Sequence, residues 1–242
     1  DRFMPWKAQQ GESSDNGKWG HQYVGMLKTQ EDIDAYVSKY GIKSVLGVNA
    51  ADLRPGSLSY ADIRGKLNVA TGEFAAPDGI VDEWDQVQLA KKESNHYGLG
   101  TTLRFGYKNF TLNTVITAAF GGWAEIDTQA RRPMKENIDE GVDNRPSIWN
   151  NIYDLQLNPN GTMPNPYKES LNTATSSFWE KSSTSLQIRN INLGYTLAPK
   201  YVNALGISSL RLNFTALNPF ILYNPYDYKY GNGGYDVYPE LK

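Results

Sequence analysis

The chain has 242 residues, 40% of them hydrophobic, with 24 Lys/Arg against 26 Asp/Glu and a net charge of −2, which removes the electrostatic case for a nucleic-acid partner. It has no cysteine and only two histidines, His21 and His96. Disulfides, cysteine nucleophiles and Cys-based zinc sites are therefore excluded, and a multi-histidine metal site is disfavoured.

Residues 1–95 read as an irregular polar region. The chain begins at Asp1 with no charged-then-apolar leader, as expected of a mature product or of a piece of a longer protein. One helix is predicted at about 30–40. Thr29 is its N-cap, Glu31, Asp32 and Asp34 fill the first turns, Ile33, Tyr36 and Val37 share one face, and Gly41 stands at the C′ position. Around it the punctuation is that of loops: Pro55-Gly56, Asp78-Gly79 and a Gly/Ser/Asp-rich stretch over 11–20. No apolar run approaches the roughly 20 residues of a transmembrane helix. Barrel strands stay possible, because about 10 alternating residues average away in such a test.

The period then changes to two. Over 97–107 the odd positions are Tyr97, Leu99, Thr101, Leu103, Phe105 and Tyr107, and the even ones are Gly, Thr or Arg104. Lys108-Asn109 makes a tight turn into a second strand over 110–123, giving a hairpin within 96–125 with one apolar and one polar side. A long Asn/Pro-rich loop fills 126–183. A second hairpin is predicted over 184–219, with strands at 184–197 and 208–218. A phase slip at Arg189-Asn190 marks a β-bulge, and residues 220–242 form a Tyr/Gly/Asn-rich loop.

Four strands of about ten residues, joined by short turns on one side and long loops on the other, match an outer-membrane barrel. Four strands cannot close one, so the chain is expected to pair with strands it does not contain. A soluble β-sandwich would alternate in the same way. Tyr at the strand ends and Gly, Arg and Asn on the other face favour the barrel. In that case Leu99, Leu103, Phe105, Ile191, Leu193, Leu210 and Leu212 face lipid, and Arg104, Asn192, Arg211 and Asn213 face the lumen.

The stretch 186–220, LQIRNINLGYTLAPKYVNALGISSLRLNFTALNPF, resembles the penultimate hairpin of the SusC-like (RagA/SusC) family of TonB-dependent transporters of the Bacteroidetes. Arg189, Asn190, Leu193, Gly194, Tyr195, Thr196, Pro199, Leu205-Gly206, Leu210-Arg211 and Asn218 carry the likeness, while Pro219 departs from it. GMLKTQEDIDAY is similar to the family's loop helix. PGSLSYADI and DGIVDEWDQVQL are similar to its acidic loop element, interrupted here by an insertion over 64–77. The resemblance implies an all-β fold, the C-terminal segment of a large antiparallel transmembrane barrel of the 22-strand class, with long extracellular loops and one short loop helix. It also implies uptake of oligosaccharides or peptides across the bacterial outer membrane, with no catalysis. The implied partners are the remainder of the barrel and its plug, a SusD-like surface lipoprotein, and TonB through an N-terminal region this chain lacks.

Three residue groups are candidates. The family's acidic element resembles a Ca²⁺ loop, and Asp78, Asp82 and Asp85 would be its ligands here. The insertion breaks the spacing, however, and a solvated acidic turn is the favoured reading of the cluster. Ile33, Tyr36 and Val37 must pack on a neighbouring loop or dock a SusD-like partner. Trp149, Tyr153 and Trp179 could stack on cargo at the mouth, or, with Phe178, pin their own loop. Glu125 and Asp127 could be read as a glycosidase carboxylate pair, but nothing else supports hydrolysis. Arg131-Arg132 reads as a solvated basic pair, and His96 as structural. The competing function is a soluble carbohydrate-binding β-domain that uses the loop Trp and Tyr residues.

Overall fold

The computed structural model describes residues 7, 11, 15–89, 92–126, 128, 131, 147–203 and 206–225. The chain forms two compact units, one of residues 1–91, 125–180 and 227–242 and one of residues 92–124 and 181–226. The structure is mostly β, its sheets antiparallel except for one parallel pair between Ser44–Val45 and Ile80–Val81.

The first unit is a lobe of short strands around one helix. Strand β1 (Tyr23–Leu27) pairs antiparallel with β2 (Ser57–Tyr60). Helix α1 (Gln30–Tyr40) starts at Thr29, whose hydroxyl accepts from the Asp32 N–H at 3.2 Å while the Asp32 carboxylate accepts from the Thr29 N–H at 3.0 Å. This reciprocal capping satisfies donors that a helix start otherwise leaves open. Gly41 ends the helix at φ 64, a conformation that costs glycine nothing. Ile33 and Tyr36 are buried against Leu27, Ile42, Val45, Leu58, Tyr60 and Leu171, and Val37 packs on the same cluster.

The second unit is an open four-stranded antiparallel sheet of β3 (Tyr97–Tyr107), β4 (Phe110–Phe120), β5 (Ser185–Thr196) and β6 (Arg211–Tyr223), in that order. Among the described residues no barrel closes, and β3 and β6 are the edges. Lys108 turns the first hairpin at φ 50. The chain leaves the sheet for the other unit at the end opposite that turn, after Phe120 and before Ser185.

Two strand boundaries differ from the sequence expectation. Strand β4 stops at Phe120, because Gly121 takes φ 101. Strand β6 starts at Arg211 and runs five residues past Asn218, through Pro219, to Tyr223. Proline removes a ladder donor and normally ends or edges a strand. Here it falls in an irregular step: Leu217 pairs with Asn190 and Phe220 with Ile188, so Arg189 stands opposite Asn218-Pro219. Asn218 absorbs the kink at φ 47, a conformation Asn tolerates better than most residues. The same extra residue, Arg189, shifts the register against β4 between Val115 and Ile116.

Candidate functional site

The register of the sheet separates its two faces. Phe105, Leu112, Leu193 and Phe214 lie in one cross-strand row, and Leu103, Thr114, Ile191 and Ala216 in another. Leu99 shares this apolar face, as does Leu212 opposite Tyr195. Leu210 precedes the strand. Arg104, Asn192, Arg211 and Asn213 lie on the opposite face, with Asn113, Thr111 and Thr215.

The apolar face is open. Tyr107 is 71% exposed and Phe214 65%, and the face continues through Leu99, Phe105, Leu193 and Leu212. A soluble monomer rarely leaves an apolar patch beyond a few hundred Å² uncovered. Aromatic pairs close the face at both ends: Phe110 on Tyr195 at 4.5 Å beside the turn, and Tyr97 on Phe120 at 5.4 Å at the far end. Tyr97 and Tyr107 bound an eleven-residue strand, so they stand roughly 34 Å apart along it. At a tilt of about 40° that projects to about 26 Å, against an apolar band of about 25 Å for outer-membrane barrels.

The loop aromatics lie elsewhere. Trp149, Tyr153 and Trp179 are all buried, Trp179 completely. Their polar atoms serve the backbone of their own unit: Tyr153 Oη donates to the Lys28 carbonyl at 2.6 Å, and Trp179 Nε1 donates to the Asn172 carbonyl at 2.7 Å. Trp149 leans on Trp179, and Phe178 meets Trp179 edge to face at 4.7 Å. In this arrangement they present no surface to cargo. Ile33, Tyr36 and Val37 likewise face the interior of their own lobe. Tyr36 Oη donates to the Tyr60 carbonyl at 2.6 Å, and burial pushes its phenol well above the usual range.

The acidic element is not the solvated turn that its sequence suggested. Asp85 is fully buried, and its carboxylate accepts from the N–H groups of Ile63 at 2.7 Å, Arg64 at 3.0 Å and Asp82 at 2.9 Å. Asp82 accepts from the Trp84 N–H and Asp78 from the Ile80 N–H. Three N–H donors on one buried carboxylate explain why it is tolerated there. Among the described residues no group of three or more His, Asp or Glu is placed to hold a metal ion. Burial raises the Asp62 and Asp82 carboxyls above their ordinary range. The carboxylate of Asp62 accepts from the Gly79 N–H at 2.7 Å. Gly79 has to be glycine, since a Cβ there would lie 2.2 Å from the Gly41 carbonyl oxygen.

Arg131 is a second correction. It is 2% exposed, and its Nη2 stands 2.6 Å from the Glu125 carboxylate, whose other oxygen takes Lys18 at 3.1 Å. Its Nε donates to the Ile126 carbonyl at 2.7 Å, and the guanidinium lies 5.8 Å from the Trp179 ring centre. Glu125 is thus committed to a buried ion pair, the opposite of a free catalytic acid. Asp127 and Arg132 lie outside the described residues. The nearness of 125 and 131 in sequence was the one available signal for this pair, but alternation gives no information about burial inside a loop.

Three chains of the RagAB peptide importer are similar to this one in fold. The structures of that importer in its open-open and closed-closed states each superpose with a TM-score of 0.52, at 12% and 14% identity, and a structure of the RagAB peptide transporter gives 0.53 at 15%. In each case 92% of this chain is covered and 20% of the other. The chain spans about a fifth of the length of the importer chains it resembles. No protein-family model matches the sequence, and no curated protein sequence does.

Proposed function

We propose that this chain is part of the wall of a TonB-dependent outer-membrane importer. The sheet β3–β6 would stand in the membrane, with its edges paired to further strands of a 22-strand-class barrel. Residues 1–95 and 126–183 would form its extracellular loops. The observation that carries this reading is the open apolar face, bounded by aromatic pairs at the spacing of a bilayer core. The fold likeness to a peptide importer supports it and favours peptides over glycans as cargo. A SusD-like lipoprotein is the partner that follows. The helix face of Ile33 and Tyr36 is not the docking surface in this reading, because it braces its own lobe. The competing carbohydrate-binding module loses its basis with the burial of Trp149, Tyr153 and Trp179.

Fractionation tests the reading. The intact protein should sediment with outer membranes and need detergent to stay monodisperse. A monodisperse protein in plain buffer, absent from the membrane fraction, would overturn it.

A further inference from the structure

Charge is spread unevenly between the two units. The unit of 92–124 and 181–226 holds seven of the 24 Lys/Arg and one of the 26 Asp/Glu, Glu93, which lies outside the strands. None of the strands β3 to β6 contains a carboxylate. The polar face nevertheless carries three arginines. Arg104 and Arg211 reach it by alternation. Arg189 reaches it because the bulge sets it beside Gln187, whose amide oxygen is 3.2 Å from its Nε and Nη2.

Arg211 is held in place. Its side chain starts on the edge strand β6, crosses Gly194 of β5, and donates from Nη2 to Thr111 Oγ1 of β4 at 2.7 Å. Its Nε donates to Asn213 Oδ1 at 3.1 Å. Gly194 makes this possible, because a Cβ there would lie 2.6 Å from both Arg211 Nη2 and Thr111 Oγ1. Gly106 stands in the same cross-strand row as Thr111, Gly194 and Asn213. One row on, Arg104 is exposed and has no hydrogen bond or ion pair among the described residues.

We propose that this face is a docking surface for an acidic polypeptide segment, with a carboxylate seated on the Arg211 guanidinium and a second charge met by Arg104. The fork of a guanidinium matches a carboxylate in two parallel bonds. Asn113, Asn192 and Asn213 offer both donors and acceptors, as a peptide backbone requires. The glycine floor lets a main chain approach closely. Lipid headgroups are on the wrong side, since the arginines and the apolar face point in opposite directions from the sheet. The inference rests on the importer reading only for what encloses the face.

Photo-crosslinking in the intact protein, in its native membrane, tests both ideas separately. A benzoylphenylalanine at Asn192 reports on the polar face, and one at Leu103 reports on the apolar face. The expected Asn192 adducts are polypeptide segments bearing Asp or Glu. Their yield should fall roughly tenfold in Arg104→Gln/Arg211→Gln, the loss of about one charge-assisted contact. It should also fall in Gly194→Ala, which keeps every charge but pushes Arg211 off Thr111. Arg104→Gln alone removes an exposed group with no bond in the sheet, so a drop there supports the proposal even if the double variant fails to assemble. Adducts to lipid, to glycan or to segments without carboxylates, no adduct at all, or yields indifferent to these variants would each overturn the proposal. At Leu103 lipid adducts are expected. Their absence would count against the membrane reading and leave the Asn192 result standing.

Discussion

The two units solve the problem of hydrophobic surface in opposite ways. The lobe folds its aromatics inward and gives each polar tip a backbone carbonyl: Tyr36 to Tyr60, Tyr60 to Leu171, Tyr153 to Lys28, Trp179 to Asn172. It even buries charge, with Asp85 on three N–H groups and Glu125 on Arg131. The sheet keeps its aromatics outward and carries no carboxylate in its strands. One unit supplies its own interior. The other depends on what surrounds it, and the same residue types therefore mean different things in each.

Substitutions that separate these two sources of stability test the contrast. The largest effect is expected at Trp179→Ala, which empties the centre of the lobe and strands the Asn172 carbonyl, at about 3–5 kcal/mol. Denaturant-dependent amide exchange of β1 and β2 would read it, and exchange unchanged from the parent would show that Trp179 is not a core residue. Next comes Leu103→Arg in the sheet, expected to cost roughly 2–4 kcal/mol if its face meets hydrocarbon. The check is the urea midpoint of the lipid-reconstituted protein, and a shift seen equally in plain buffer would locate the effect outside a membrane.

The pH response should belong to the lobe. His21 is 4% exposed, and burial holds its imidazole down at about 4, against a raising effect of the Asp85 charge. The folded value lies below the unfolded one of about 6.5, so the unfolded chain binds the proton more readily. The stability is fully present above that pH and is lost as pH falls towards 4, by an amount on the order of 3 kcal/mol. Exchange of β1 and β2 measured between about pH 7 and 4 should show this, and His21→Asn should flatten it. An equally steep curve in that variant would remove His21 as the cause. The smallest expected effect is Thr29→Ala, which opens the reciprocal cap of α1 at a cost of about 1 kcal/mol. It would show up as faster exchange in the first turn of α1 alone.

What could be read from the sequence follows the same division. In the sheet, period two places each residue on a face, so Leu103 and Arg104 were separable by counting, and the slip at Arg189 was visible as a change of phase. Pro219 concealed the continuation of β6, because its missing donor sits in an irregular step that only the partner strand reveals. In the lobe, α1 was marked by Thr29, its acidic first turn and Gly41. The roles of Trp149, Trp179, Arg131 and Asp85 were not legible. An aromatic or a charge in an Asn/Pro-rich stretch has the same composition whether it is wet or buried, and contacts over more than a hundred residues, such as Tyr153 to Lys28, leave no local trace.

The departure of the chain after Phe120 and its return before Ser185 also bears on time. The hairpin β3–β4 is closed by two residues and can form within about 1–10 μs. The ladder from β4 to β5 pairs Ala119 with Ser185, so it must first close the long excursion between them. Chain entropy makes that excursion thermodynamically mild, since each doubling of loop length costs only about 0.6 kcal/mol. Kinetically it is the slow step, because distant pairings reward the chain only after the loop is closed. The first hairpin would then wait with an unsatisfied edge, and the hazard of pairing with a wrong strand during assembly is concentrated at β4.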